Sequence, residues 1–350
     1  MSYPCLPRDL RLATVLGASI LFAAPAAHAS TFMDTLSNIS KTYNLYTSGD
    51  VGKPASPNSY SDVEGKVAAG GSAYLRGYEV GLKNQGGDAL VVGQNLTYQS
   101  GTVHGNVVAG GGASFPTNQG GTTVEGTVAA GGGLGVAPTQ YAGSATFSGL
   151  PIDFTQVTND LVAASSFLNG AAAHGQGALG QVTNTWGTLN LTSSASGLVF
   201  FDLAASDLKG ISGLKFDVDP AATIVINLTG QIGGQFGSYG FLGDVQKDLT
   251  LFNFVDATSI DMTNLGFMGS ILAPLADLTG TWGQINGSVM VKSYNGTTQM
   301  NWAGFKGDLP TPPGLPGAVP EPSAWALMMI GVASLGGILR RRRRAADAVA

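Results

Sequence analysis

The chain has 350 residues, of which 52 are glycine, only 11% are charged and 44% are hydrophobic, and its formal net charge is −5. Charge is less than half the ~25% of an ordinary domain, and glycine is about twice the usual ~7%. Such a composition excludes a disordered chain, which buries too little apolar surface. It excludes a collagen, because no third-position glycine repeat is present, and a long helical bundle, where this much glycine is costly. A glycine-punctuated β architecture remains.

Residues 1–29 have the make-up of a secretory signal. Arg8 and Arg11 lead into an apolar run over 12–26, and Ala27, His28 and Ala29 supply a small-x-small cleavage site before Ser30. The expectation is an N-terminal signal helix that is removed on export.

The body then repeats. VEGKVAAGG (63–71) recurs as VHGNVVAGG (103–111) and VEGTVAAGG (124–132), with a looser copy, INGSVMVKS, at 285–293. The frame is Val63, Gly65, Val67; Val103, Gly105, Val107; Val124, Gly126, Val128; and Ile285, Gly287, Val289. Starts lie 40 and then 21 residues apart, and LVVGQNL (90–96) supplies an intermediate strand in the longer gap. The working period is therefore about 20 residues, a length typical of repeat architectures. Alternation is expected to point both valines of a copy to one face, with the glycine inward or at a tight bend, and Gly-Gly pairs to give φ > 0 corners. One rung cannot bury its own face, whereas stacked rungs can. The fold class expected is mainly β: a parallel β-solenoid, taken as right-handed, with about one coil per repeat.

One flanking α-helix is expected over about 152–169. Phe154, Val157, Leu161, Ala164 and Leu168 follow helical spacing, Asp153 is the N-cap, and Asn169 with Gly170 is the stop. Strands resume at 198–203, 223–228 and 249–255, which are β-branched or aromatic. Phe254, Ile271 and Val289 step by 17 and 18, one coil each, and 231–243 has the composition of a long inter-coil loop. Residues 310–319 form a Pro-rich, semi-rigid spacer.

The C-terminus has three parts in fixed order. Pro320, Glu321 and Pro322 precede an uncharged span over 323–339, then Arg340, Arg341, Arg342, Arg343 and Arg344. The span is at the short edge for a transmembrane helix, and the arginines would hold its end in the cytoplasm. This arrangement resembles a PEP-CTERM sorting signal over 320–344, followed by a tail at 345–350. The resemblance implies a Gram-negative bacterium, transient residence in the inner membrane, and cleavage near Pro320 to Pro322 by an exosortase.

Without the two ends the domain at 30–309 and its spacer keep 10 basic and 19 acidic groups, a net charge of −9, with Arg76 the only arginine. An acidic, arginine-poor surface disfavours nucleic acid. The sole cysteine, Cys5, leaves with the signal, so stability must come from packing and hydrogen bonds rather than disulfides.

Three stretches resemble the choice-of-anchor A domain, an ice-binding-like adhesive domain. They are YNLY (43–46) with SDVEGKVAAGG (61–71); VVGQNL (91–96) leading to the repeat at Val103; and GSILAPLA (269–276) with INGSV (285–289) and FKGDLP (305–310). The resemblance implies a β-solenoid with a flanking helix and a surface or adhesion role, and it transfers no catalytic residue.

Chemistry is sparse. His104 and His174 are too isolated for zinc, which needs three or four ligands. The slot of His104 holds Glu64 and Glu125 in the other copies, which points to an exposed row. Asp217 and Asp219 would share a strand face, as a solvated pair, a calcium site or an acid/base pair. Thr122-Thr123 and Thr297-Thr298 do not extend to a threonine ladder at the repeat period. No cofactor or metal is expected. The reading is an exported, non-enzymatic surface or matrix protein, an adhesin associated with exopolysaccharide, with Tyr74, Tyr78 and Tyr98 as candidate sugar contacts. An ice-binding protein and a polysaccharide-acting β-helix enzyme stand as alternatives.

Overall fold

The computed structural model describes residues 32–312, apart from 84, 85, 235, 237–239 and 244. The expected signal helix, the membrane span, the sorting residues (Ala27, Ala29, Pro320 to Pro322, Arg340 to Arg344) and most of the spacer lie outside the described residues.

The described chain is a three-sided parallel solenoid. In one turn the strand Lys66–Ala69 lies on a first face, residues 73–75 of Ala73–Val80 on a second, and residues 78–80 on a third. The next turn repeats this with Asp88–Val92, Leu96–Tyr98 and Gly101–Val103. Inward positions stack in registered columns. On the first face the column runs Phe201, Ile226, Phe252, Ile271, Val289, Leu45, Val67, Leu90, Val107, Val128. On the third face it runs Phe267, Ile285, Met300, Val63, Val80, Val103, Val124. These side chains form one buried apolar cluster along the axis, and its removal from water is the main stabilising term.

The order of coils in space differs from their order in sequence. The first strand, Tyr43–Thr47, lies between Lys66–Ala69 and the late strand Val289–Gly296. From it the chain coils outward to Gln140–Ser144. It then crosses back over the first face and starts again at Ala178–Leu179. The second set of coils returns to the first strand.

Two helices cover the first face. Helix α2, Phe154–Ala171, has Asp153 as its N-cap, whose carboxylate accepts from the Gln156 N–H at 3.0 Å. Its 18 residues span about 27 Å, enough to cross several strands at ~4.8 Å each. Gly170 does not end it. Ala171 is packed into the core, a 3-10 turn Ala172–His174 follows, and Gly175 closes it in a left-handed conformation. Helix α1, Phe32–Thr42, was not expected from the sequence. It buries Met33, Leu36 and Ile39 in a second apolar cluster with Leu161, Leu168, Leu251, Leu272, Met290 and Phe305.

Four expectations need correction. Val63 and Val67 do not share a strand face: Glu64 and Gly65 form a corner between Asn58–Val63 and Lys66–Ala69, and each valine points inward from a different side. The third copy runs through this corner as one strand, Thr122–Ala130, with a register shift. The Gly-Gly corners are not left-handed, since Gly70, Gly71, Gly110, Gly111, Gly131 and Gly132 lack positive φ. Glycine is needed there for space, because a Cβ on Gly93, Gly110 or Gly131 would strike the carbonyl oxygen of the glycine on the coil below. Finally, Ile271 pairs with Phe252 rather than Phe254, and the supposed loop contains the strand Gly240–Gly243 beside Gly213–Asp217, with Phe236 buried.

Candidate binding surface

With its first face closed by helices, the solenoid offers two open faces. Outward positions of the second face align Thr279, Asn295, Gly52, Tyr74, Thr97 and Ser114 on successive coils. Those of the third align Gln284, Gln299, Asp62, Glu79, Thr102 and Thr123. Parallel register forces this, because equivalent residues of neighbouring coils stand side by side. The result is two rows of polar side chains of mixed length, mostly neutral, broken at Gly52, of which threonine is only one member.

The corner beyond the third face carries charge. His104 is buried, with Nε2 2.8 Å from Glu79 Oε1 and Nδ1 3.1 Å from Glu125 Oε2. Burial alone would pull its pKa down. The hydrogen bonds and charges of the two carboxylates outweigh burial, and the net shift is upward. Glu64, two coils away, is also buried; it pairs with Lys83 at 2.7 Å and accepts the Trp302 N–H at 2.9 Å. Asp62 is raised by burial and then by the charges of Glu79 and Glu64. In this slot His104 and Glu64 are therefore structural clamps between coils rather than members of an exposed row, and only Glu125 is exposed. The sequence misses this because the partners Glu79 and Glu125 belong to two different neighbouring coils.

Other candidates disperse. Gly105, Gly126 and Gly287 sit where a Cβ would press on the backbone of the adjacent coil, while Gly65 lies against Trp302 and Asn44, whose Oδ1 accepts the Gly65 N–H at 3.0 Å. Val103, Val107, Val124, Val128, Ile285 and Val289 are all core residues. Asp217 ends its strand in a cleft with Gln181, Thr192 and Ser193, whereas Asp219 has left the strand and accepts the Ala221 N–H at 2.9 Å. The two carboxylates do not share a strand face. His174 is exposed at the end of the 3-10 turn.

The tyrosines also need correction. Tyr78 and Tyr98 are buried, and the Tyr98 hydroxyl donates to the Tyr78 carbonyl at 2.7 Å. Only Tyr74 keeps partial access, on the second face. The large exposed aromatics are instead Trp186, 96% exposed, and Trp282, 74% exposed. The repeated tripeptide Thr-Trp-Gly at 185–187 and 281–283 is the signal that could have found them.

Comparison with known proteins gives the following. The PEP-CTERM protein-sorting motif matches residues 318–344. No curated protein matches. Among solved structures the chain is similar to the Shewanella frigidimarina ice-binding protein_1 DUF3494 domain, at 16% identity and TM-score 0.36, over 78% of this chain and 97% of that one. It is also similar to an ice-binding protein (LeIBP) from Arctic yeast, at 12% identity and TM-score 0.30, over 80% and 96%. The family model described as "Putative Ice-binding-like adhesive domain" matches residues 36–302, the whole of the solenoid with most of α1, and the chain belongs to that family.

Proposed function

We propose that this chain is an exported, non-enzymatic adhesin of the cell surface or extracellular matrix that holds exopolysaccharide. In this reading residues 1–29 are removed at Ala27 to Ala29, 30–309 form the adhesive body, 310–319 the spacer, and 320–344 the sorting signal. An exosortase recognises Pro320, Glu321 and Pro322, while the arginines hold the span in the inner membrane of a Gram-negative cell. The observation that carries the reading is the asymmetry of the solenoid. One face is sealed by α1 and α2, and two faces keep registered rows of polar side chains open to solvent. The chain leaves the body on the sealed side, where residues 307–311 run beside Met33 and Lys41 of α1, so an anchor there leaves the open faces free.

Whole-cell aggregation of a deletion strain tests the adhesive role, and loss of aggregation is the expected outcome. Glu321→Ala tests the sorting role and is expected to accumulate as an unprocessed membrane form; unchanged processing would reduce the tail to an anchor. Ice binding is the second reading, favoured by the registered stacking of outward residues on the second face. Thermal hysteresis in the purified protein would establish it, and Tyr74 and Gly52, interrupting the row, argue for the first reading.

A further inference from the structure

Among the described residues, three other than glycine hold a positive φ: Trp186 at 53°, Asn264 at 61° and Trp282 at 64°. All three stand on one edge, where the chain enters the strands of the third face. Trp186 and Gly187 form the two-residue turn between Gln181–Thr185 and Thr188–Thr192, with both φ positive as such tight turns require. The Gly187 carbonyl accepts from Ser212, and Thr188, Gly213 and Gly240 follow in register. Phe241 packs against Phe267 of the next coil at 5.2 Å, and pairing of Leu265 with Gly283 sets Asn264 beside Trp282. The two tryptophans are thus four coils apart along a single edge, about 19 Å at strand spacing.

Neither indole is packed into the core. Both are mostly exposed, and the left-handed conformation costs a residue with a Cβ about 1–2 kcal/mol. Asn264 shows what the corner accepts without strain, since asparagine visits that region readily. A bulky aromatic kept in a strained, exposed position points to a ligand.

We propose that this edge binds a neutral polysaccharide chain, with the indoles of Trp186 and Trp282 stacking on sugar rings. The proposal rests on the adhesive reading above and names its ligand class. An indole offers a flat apolar face with a polar handle, which complements a pyranose with its C–H face and hydroxyl rim. Beside the indoles the edge presents mostly neutral hydrogen-bonding groups among the described residues, from Thr185, Ser212, Asn264, Thr281 and Gln284, and the one carboxylate at the corner, Asp261, is engaged by the Thr263 N–H and hydroxyl. The exported body carries a net charge of −9, which repels anionic polymers and anionic lipid alike. A bilayer-docking edge would set basic residues beside its aromatics, whereas the described residues next to the indoles in the chain and on the edge, Thr185, Ser212, Asn264 and Thr281, are not basic. The edge also lies opposite the sealed first face, turned away from the anchor.

The test uses the full-length protein and the variants Trp186→Asn, Trp282→Asn and both together. Asparagine suits the backbone, so each variant is expected to melt at or above the wild-type temperature. Affinity electrophoresis in gels containing hydroxyethyl cellulose, dextran, laminarin or galactomannan should retard the wild type with at least one polymer. Each single change should weaken that binding about tenfold, the usual scale of a tryptophan anchor, and the double change should abolish it. Retardation by none of these polymers, equal retardation of the double variant, or tryptophan-dependent flotation on phosphatidylcholine vesicles would each overturn the proposal. Aggregation assays separate the two claims. Cells with the double variant that aggregate like wild type refute this site alone, whereas a deletion strain that aggregates normally refutes the adhesive role itself.

Discussion

Gly110 shows how little room a coil corner leaves. A methyl group there would meet the carbonyl of Gly93 and, at 3.4 Å, Leu150 of the segment crossing above. Gly110→Ala should therefore destabilise the protein by about 1–3 kcal/mol, the scale of overpacking, in urea unfolding. Gly170→Ala is the contrast: only the edge of the His174 ring, at 3.9 Å, lies near, so removing a glycine from α2 should stabilise by about 0.5–1 kcal/mol. His104 sets a pH dependence. Its folded pKa is raised above that of the unfolded chain, so its contribution is fully present below pH ~6.5 and is lost as pH rises through the folded value. Thermal melts of wild type and His104→Gln should diverge more at pH 6 than at pH 8. The inward valines were legible because their columns demand an apolar residue at a nearly fixed period. The histidine clamp and the buried Tyr78 and Tyr98 were not, because period-2 alternation alone does not say which phase of a strand faces in.

Helix α2 is fastened at the scale of the element by a polar ladder that sequence spacing could not reveal. Asn227 donates to Asp202 at 2.9 Å and to the Leu168 carbonyl at 3.0 Å, and Asn253 donates to Asn227 and to the Ser165 carbonyl, both at 2.9 Å. Ser165 in turn donates to Asn253 at 2.6 Å. Asn253→Ala leaves the buried Ser165 hydroxyl and the Asn227 carbonyl oxygen without these partners, and each such loss costs about 1–3 kcal/mol. Hydrogen exchange should then accelerate in α2 before it does in the inner core. The helix itself was plain from its 3–4 spacing. Helix α1 was not, since its 11 residues are largely polar and only Met33, Leu36 and Ile39 mark its buried face. The strand Gly240–Gly243 was hidden by its glycines, which carry no β preference and gain their conformation from pairing with Gly213–Asp217.

Across the whole molecule, the period was readable but the path was not. Repeats report what each coil needs, and nothing in them tells which coil lies on which. The pairing of Leu45 with both Val67 and Val289 joins the two sets of coils through the earliest strand of the body. Deletion of 289–312 would uncover one flank of Tyr43–Thr47 and the apolar contacts of Met290 and Phe305 with α1 and α2. Limited proteolysis of that truncation should cut within 43–69, in the half of the chain that was not altered.

The same wedge has a consequence for secretion. A chain delivered through a membrane N-terminus first presents Tyr43–Thr47 early, yet its second neighbour, Val289–Gly296, arrives last. Closure of the stack therefore waits for nearly the entire body, a pairing of extreme sequence separation and correspondingly slow. The outward coils can assemble during transit, while the seam at Leu45 stays open until Val289 emerges. By then the short strand Gln299–Asn301 and the segment bearing Phe305 follow, and the sorting motif comes directly behind them. Completion of the seam and arrival of the tail thus fall together, and the tail would keep each newly emerged chain at the membrane, apart from other open seams, for the interval in which it is most prone to pair with the wrong copy.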